Sequence, residues 1–362
     1  MTSIGWVAFS GCSSLTSVTL NSNAIASKTY TSSNNLKNIF GEQVTEYNIG
    51  SGVTSIGVSA FSSCFGLTSI SIGNSVTSIG NFAFEGCSWL TSVTIPNSVT
   101  SIGAKAFDGC SSLTAVNISD IEKWSQIIFG DSGANPLFYA KHLYLNGEEV
   151  TKLNLANDIS NYAFAGCIGL TEVEVKGVGT DVFKGCPNIT SVKVDCKTVK
   201  NWFADSKAKV QTLTLGESVT TINVNSFDGF SALKTVYLGS NVSTIGAKAF
   251  ANCGKLDDVY CYAVRYPNVE RNTFENSYLD YVTLHVPAES LNQYKNHETW
   301  GKFKAVVPLT GEEMGIEQLF MTNGTNSAPV IYDLNGHHVS SPRKGLNIIR
   351  MSDGAVRKVM VK

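Results

Sequence analysis

Residues Val76–Pro96 read VTSIGNFAFEGCSWLTSVTIP, and the stretch returns at Val99–Ser119 as VTSIGAKAFDGCSSLTAVNIS. Phe61, Phe84 and Phe107 stand 23 residues apart, each preceded by Ala and followed three residues later by Cys. Phe227 and Phe250 resume the same step after longer intervals. A fixed period in the twenties is the signature of a solenoid, in which each repeat is one coil stacked on its neighbours.

Two β-type signals lie inside each period. The first is Leu90-x-x-Val93-x-Ile95, where polar Ser92 and Thr94 alternate with apolar residues, as in a strand with one buried face. It recurs at Leu67-x-x-Ile70-x-Ile72, Leu113-x-x-Val116-x-Ile118, Leu233-x-x-Val236-x-Leu238 and Leu279-x-x-Val282-x-Leu284. The second is Val76-x-x-Ile79-Gly80, echoed at Val99-x-x-Ile102-Gly103 and Val242-x-x-Ile245-Gly246. Pro96 and the Asn-Ser pairs at Asn74 and Asn97 mark the bend between them. Ala83-Phe84-x-Gly86-Cys87 supplies a bulky core filler and a return turn. One such unit cannot bury enough apolar surface to offset its own ordering entropy, so it must stack.

The string Leu-x-x-Val-x-Ile-Pro…Ile-Gly…Ala-Phe-x-x-Cys resembles the BspA-like, or Treponema-type, leucine-rich repeats of bacterial surface proteins. The resemblance spans most of residues 3–285. It implies a right-handed, curved, β-rich leucine-rich-repeat solenoid with parallel strands on its concave face, and adhesion or host-interaction roles for some members.

Three stretches break the step: Thr19–Gln43, Asp120–Val150 and Val194–Lys209, where Trp202-Phe203 replaces Ala-Phe. All three read as degenerate or elongated repeats rather than inserted functional loops. The solenoid is expected over residues 1–307. Its cap, at about 286–307, would be a short helix through Ala288–Asn296 with Tyr294, Trp300 and Phe303 covering the last coil. Residues 308–315 read as a linker. Residues 316–362 read as a small antiparallel β module, with strands at Val330–Leu334, Leu346–Met351 and Val356–Val361 and turns at Asn335-Gly336 and Ser352-Asp353-Gly354. The tail Tyr332–Gly336…Arg357–Lys362 resembles the C-terminal sorting-type domain of exported Bacteroidetes proteins, which implies an extracellular or cell-surface location. The chain begins inside a repeat and shows no leader or transmembrane run. An uncapped, partly apolar N-terminal coil is therefore expected, together with a trimmed or upstream signal peptide.

Charged residues are 15% of the chain and the net charge is −2, which makes no electrostatic case for nucleic acid or an anionic membrane. Seven cysteines (Cys12, Cys64, Cys87, Cys110, Cys167, Cys186, Cys253) share one repeat position, and Cys196 and Cys261 do not. Parallel Cβ vectors in stacked coils suit a ladder of buried thiols better than disulfides. One thiol per coil does not surround a metal. Gly130-Asp131-Ser132-Gly133 resembles a serine-protease nucleophile string, but that family needs a His upstream and the first here is His142. His337-His338 follows a hairpin turn, where imidazoles are solvated. Glu148-Glu149, Asp257-Asp258 and Glu312-Glu313 are adjacent pairs, whose side chains diverge on a strand. No catalytic residue, cofactor or metal is expected.

The strand face carries the functional expectation. Its outward positions are Ser69/Ser71, Ser92/Thr94 and Ala115/Asn117 early on, then Glu172/Glu174, Ser191/Lys193, Thr212/Thr214, Thr235/Tyr237, Asp258/Tyr260 and Tyr281/Thr283. Glu172, Glu174, Lys193, Tyr237, Asp258, Tyr260 and Tyr281 form the candidate binding patch, since exposed tyrosines offer large contact area at low entropy cost. The expected protein is a monomeric, non-enzymatic binder of a host or matrix protein or glycan. The alternatives are a spacer that presents other domains and, at greater distance, a surface glycoside hydrolase with paired carboxylates.

Overall fold

A computed structural model describes residues 4–9, 11–311 and 313, and the backbone of Val330–Tyr332, His338–Val339, Gly345–Arg350 and Val356–Val361. The Asn335-Gly336 and Ser352–Gly354 turns, together with His337 and Glu312, lie outside the described residues. The chain divides into two compact units. One comprises Met1–Ser191 with Trp202–Lys209, the other Val192–Asn201 with Val210–Lys362.

In the first unit the leading strands of successive coils pair in parallel within separate runs. Ser17–Leu20, Glu46–Ile49 and Ser69–Ile72 form one run, and Ser92–Thr94, Ala115–Ile118 and Leu143–Leu145 another. Their burial alternates as the period-2 pattern requires, with Ser69 and Ser71 exposed and Ile70 and Ile72 buried. The short second strands Ser55–Ile56, Ser78–Ile79, Ser101–Ile102 and Ile128–Phe129 pair in parallel on another face. At the third corner the amides of Phe61 and Phe84 donate to the carbonyls of Ala83 and Ala106 in the following coil, at 2.7 and 2.8 Å.

Phe61, Phe84 and Phe107 are fully buried, and their rings stack at 5.2 and 5.0 Å. The 23-residue step is therefore a translation. Threonine adds a second ladder. The hydroxyls of Thr68, Thr77, Thr100 and Thr114 donate to the carbonyls of Thr45, Thr54, Thr77 and Thr91 in the preceding coil, at 3.1–3.2 Å. These hydroxyls cross-link coils as well as face water.

The irregular stretches prove to be modified coils. In 19–43 the helices Asn23–Ala26 and Leu36–Phe40 replace a second strand, and buried Phe40 meets Phe9 at 5.1 Å. In 120–150 the helix Ile121–Ser125 buries Trp124, whose indole N–H donates to the Ala163 carbonyl at 2.9 Å. That stretch ends in an antiparallel hairpin, Leu143–Leu145 with Glu148–Glu149. The Asp131 carboxylate caps the turn through the Lys105 and Ala134 amides, so the Gly130–Gly133 string is coil geometry. Phe203 stacks on Phe183 at 5.0 Å and takes the repeat phenylalanine's place.

The second unit carries the parallel strands Thr212–Leu215, Thr235–Leu238, Asp258–Cys261, Thr283–Val286 and Ala305–Pro308. Second strands pair from Thr198–Val199 through Asn268–Val269. Phe227 and Phe250 stack at 5.4 Å, and Phe250 and Phe274 at 5.7 Å. Beyond them the buried rings of Trp300 and Phe303 pack over Phe274, and buried Tyr294, from the helix Leu291–Lys295, packs against Trp300. One more rung follows, Ala305–Pro308, and Leu309 is buried. The stretch read as a linker is thus packed at its start. The last four described strands pair antiparallel, in the order His338–Val339, Val330–Tyr332, Gly345–Arg350, Val356–Val361.

Of the nine cysteines, all free thiols, Cys64, Cys87, Cys110, Cys167, Cys186, Cys253 and Cys261 are buried. Cys12, expected in the ladder, is exposed. The ladder has a use beyond filling space. The thiols of Cys87 and Cys110 donate to the carbonyls of Phe61 and Phe84, one coil back, at 3.1 and 3.2 Å. Trp6 and Val7 are exposed on the first described coil.

Candidate functional site: an aromatic and acidic column on the strand face

Strand pairing in the second unit places residues 237, 260 and 285 on adjacent rungs, because Tyr237 aligns with Tyr260 and Tyr260 with His285. Parallel in-register strands lie about 4.8 Å apart, so flat side chains at one register position meet face to face. The Tyr237 and Tyr260 rings stack at 4.8 Å with planes 14° apart, and Tyr260 and His285 at 4.2 Å and 20°. All three side chains are half-buried.

Two carboxylates flank the column. Asp258 Oδ1 lies 3.1 Å from His285 Nε2. Glu313 Oε1 lies 3.2 Å from Nδ1, within ion-pair range but out of line for a hydrogen bond. Glu313 is held in turn by a reciprocal cap: the Thr310 amide donates to its carboxylate at 2.6 Å and its own amide donates to the Thr310 hydroxyl. The Tyr262 hydroxyl donates to the Glu313 carbonyl at 3.2 Å. Burial and then the Asp258 and Glu313 charges push the Tyr260 phenol up to about 12, and the same causes raise Tyr237. Both phenols are therefore neutral donors in a negative local field.

Of the seven residues read from the sequence, three meet here: Tyr237, Asp258 and Tyr260. Tyr281 does not join them. It sits in the 3-10 turn Leu279–Tyr281 and is 76% exposed, because the strand begins at Thr283. The Leu279-x-x-Val282-x-Leu284 string draws the strand too early. The rung carries 25 residues from Asp258 to Thr283; one of the extra two enters before Asn268, where the step is already 24, and the other between Phe274 and Thr283. Strict alternation in Thr283-Leu284-His285-Val286 was the signal that would have placed His285 in the column. Nothing in the sequence pointed to Glu313. Lys193 is on the strand Ser191–Val194, beside the strand Thr212–Leu215. Glu172 and Glu174 belong to the first unit, where Glu172 pairs with Lys152 at 2.8 Å.

Tyr260 is covered on both faces by its neighbours, so the column offers ring edges, neutral phenol hydroxyls and two carboxylates. The imidazole fills the space between Asp258 and Glu313, which leaves the pair no room to straddle a glycosidic bond. Among the described residues no group of three or more His, Cys, Asp or Glu is arranged to hold a metal ion.

The family model described as BspA type leucine rich repeat region matches this chain in six copies, over residues 1–44, 40–141, 140–257 and 197–298. No curated protein matches it. Among solved structures it is similar to the pneumococcal vaccine antigen PcpA, at 18% identity and TM-score 0.42 over 75% of this chain and 69% of that one. It is also similar to a leucine rich cell surface protein from Faecalibacterium prausnitzii (17% identity, TM-score 0.33, 83% of this chain and 85% of that one). A leucine-rich repeat protein from Bacteroides ovatus matches at 18% identity and TM-score 0.35, over 82% and 92% of the two chains.

Proposed function

The chain belongs to the BspA-type leucine-rich repeat family, and from that premise we propose that it is a non-catalytic surface protein that captures a basic segment of a partner polypeptide. The observation that carries this reading is the Tyr237–Tyr260–His285 column with Asp258 and Glu313 at its edge. A Lys or Arg head group beside the column gains a carboxylate partner, while its aliphatic stem lies along the ring edges. A glycan, the other partner class considered for this face, would find Asp258 already hydrogen-bonded to the His285 imidazole and few hydrogen-bonding groups for its hydroxyls. Surface display fits the family. Among the described residues no helix is long and apolar enough to cross a membrane.

The test is an array of Lys- and Arg-containing peptides set against neutral and acidic ones, probed with the full chain and with Tyr260→Ala and His285→Ala. Selective capture of basic peptides, weakened by about 2 kcal/mol in Tyr260→Ala with the thermal midpoint retained, supports the assignment. Equal capture by the wild type and both variants removes it.

A further inference from the structure

After the strand Ala305–Pro308 the chain turns back over the rungs it has just completed. The Leu309 amide donates to the Val286 carbonyl at 2.8 Å, one rung back. Glu313 then meets His285 on that same rung and Tyr262 at the end of the rung before it. The Tyr262 hydroxyl holds its carbonyl, and the His285 ring its carboxylate.

The second of these contacts rests on charge. His285 Nδ1 is buried, has no hydrogen-bond partner and lies 3.2 Å from Glu313 Oε1. Because the geometry there is out of line for a hydrogen bond, attraction comes from opposite charge. On the other side Nε2 and Asp258 Oδ1, 3.1 Å apart, are in hydrogen-bond geometry. A neutral imidazole carries one N–H and one lone pair, whereas the imidazolium carries two N–H groups and a positive charge. In either neutral tautomer one lone pair faces a carboxylate oxygen across 3.1–3.2 Å, and the Glu313 contact loses its attraction. Only the charged ring satisfies both sides. Side-chain exposure of 13% for His285 and 18% for Glu313 limits screening by water.

The titratable groups facing the ring can be named element by element. The strand Asp258–Cys261 brings Asp258 and Tyr260, and the strand beyond it brings Tyr237. The returning chain brings Glu313, tied to Tyr262. The strand Ala305–Pro308 aligns Val307 with His285 and contains no titratable residue. Since the Tyr237 and Tyr260 phenols stay neutral, the charge on the ring decides the balance.

We propose that His285 is a proton-operated latch: when charged, its ring draws Glu313 onto the strand face, and when it loses the proton it releases Glu313 and loosens the chain at Thr310 and Glu313. Asp258, fixed within its strand, keeps its place in both states. Imidazole changes charge between about pH 5 and about pH 8, so the latch closes in acid and opens as pH rises. It acts on this chain's own segment and does not rest on capture of a partner.

The test is hydrogen exchange of the full chain, resolved to the Thr310 and Glu313 amides and corrected for the intrinsic rate at each pH. In the wild type, protection of these amides at about pH 5.5 exceeds that at about pH 8 by about tenfold. Glu313→Gln and His285→Gln each abolish the difference, while the amides of the rung Thr283–Val286 stay protected as a control for folding. Nitrogen-15 spectra of histidine-labelled wild type follow the ring itself, and its change of charge shares one midpoint with the change in protection. Equal corrected protection of the wild type at both pH values overturns the proposal. So does protection that grows with pH, a difference that survives Glu313→Gln, or separate midpoints for ring and amides.

Discussion

At the scale of single residues, the phenylalanine and cysteine of the repeat do different work. Phe84 is fully buried between Phe61 and Phe107. Removing its ring opens a cavity that touches three coils, and Phe84→Ala is expected to lower stability by about 3–5 kcal/mol in urea unfolding. The neighbouring thiols are held neutral. Burial pushes Cys64, Cys110 and Cys253 up to about 12, and Cys167 and Cys261 up to about 11. Below about pH 8.5 these thiols are protonated in both the folded and the unfolded chain and add no pH dependence. Above it the unfolded thiols ionise while the native ones stay neutral, so stability falls as pH rises towards the native values. The urea midpoint should drop between about pH 8 and about pH 10, and substituting ladder cysteines by Ala should flatten that slope. Alkylation of the native protein should reach exposed Cys12 well before the seven buried thiols.

At the scale of the coil, each element is set by how closely the next backbone approaches. A Cβ on Gly80, at the end of the short strand Ser78–Ile79, would meet the Val58 nitrogen at 2.7 Å and the Gly57 carbonyl carbon at 2.8 Å. The Ile-Gly signature is therefore a spacing requirement between backbones, which cannot swing aside like a side chain. Gly80→Ala is expected to cost about 1–3 kcal/mol. An equal thermal midpoint for this variant and the wild type would show that the coils can part without penalty. Most of this layer was legible beforehand. Period-2 alternation located Ser69–Ile72 and Thr235–Leu238, since a half-buried strand must alternate. The reading failed at residues 279–286, because two residues added over the coil from Asp258 to Thr283 moved the strand start and replaced Tyr281 by His285 on the face. Motif matching keeps the spacing of side chains but is blind to where a turn absorbs an insertion.

At the scale of the whole molecule, a net charge of −2 over 362 residues gives little long-range steering. Any salt dependence in the capture of basic peptides must then come from charges at the column itself. Asp258→Asn is expected to weaken that capture by about tenfold, or about 1.4 kcal/mol, and to flatten its dependence on ionic strength. Affinity in Asp258→Asn that still falls with salt as steeply as in the wild type would place the interaction on another surface.

The repeat alone determined the parallel rungs, the ring stack and the buried thiols, because translational order demands that equivalent residues meet equivalent surroundings. It did not determine which irregular residues come together. Glu313 reaches His285 across 28 residues of chain, and Tyr47, Phe65 and Trp89 converge from two successive coils. Those meetings depend on side-chain reach and on how far each elongated coil displaces the next, quantities that exist only once the coils are stacked.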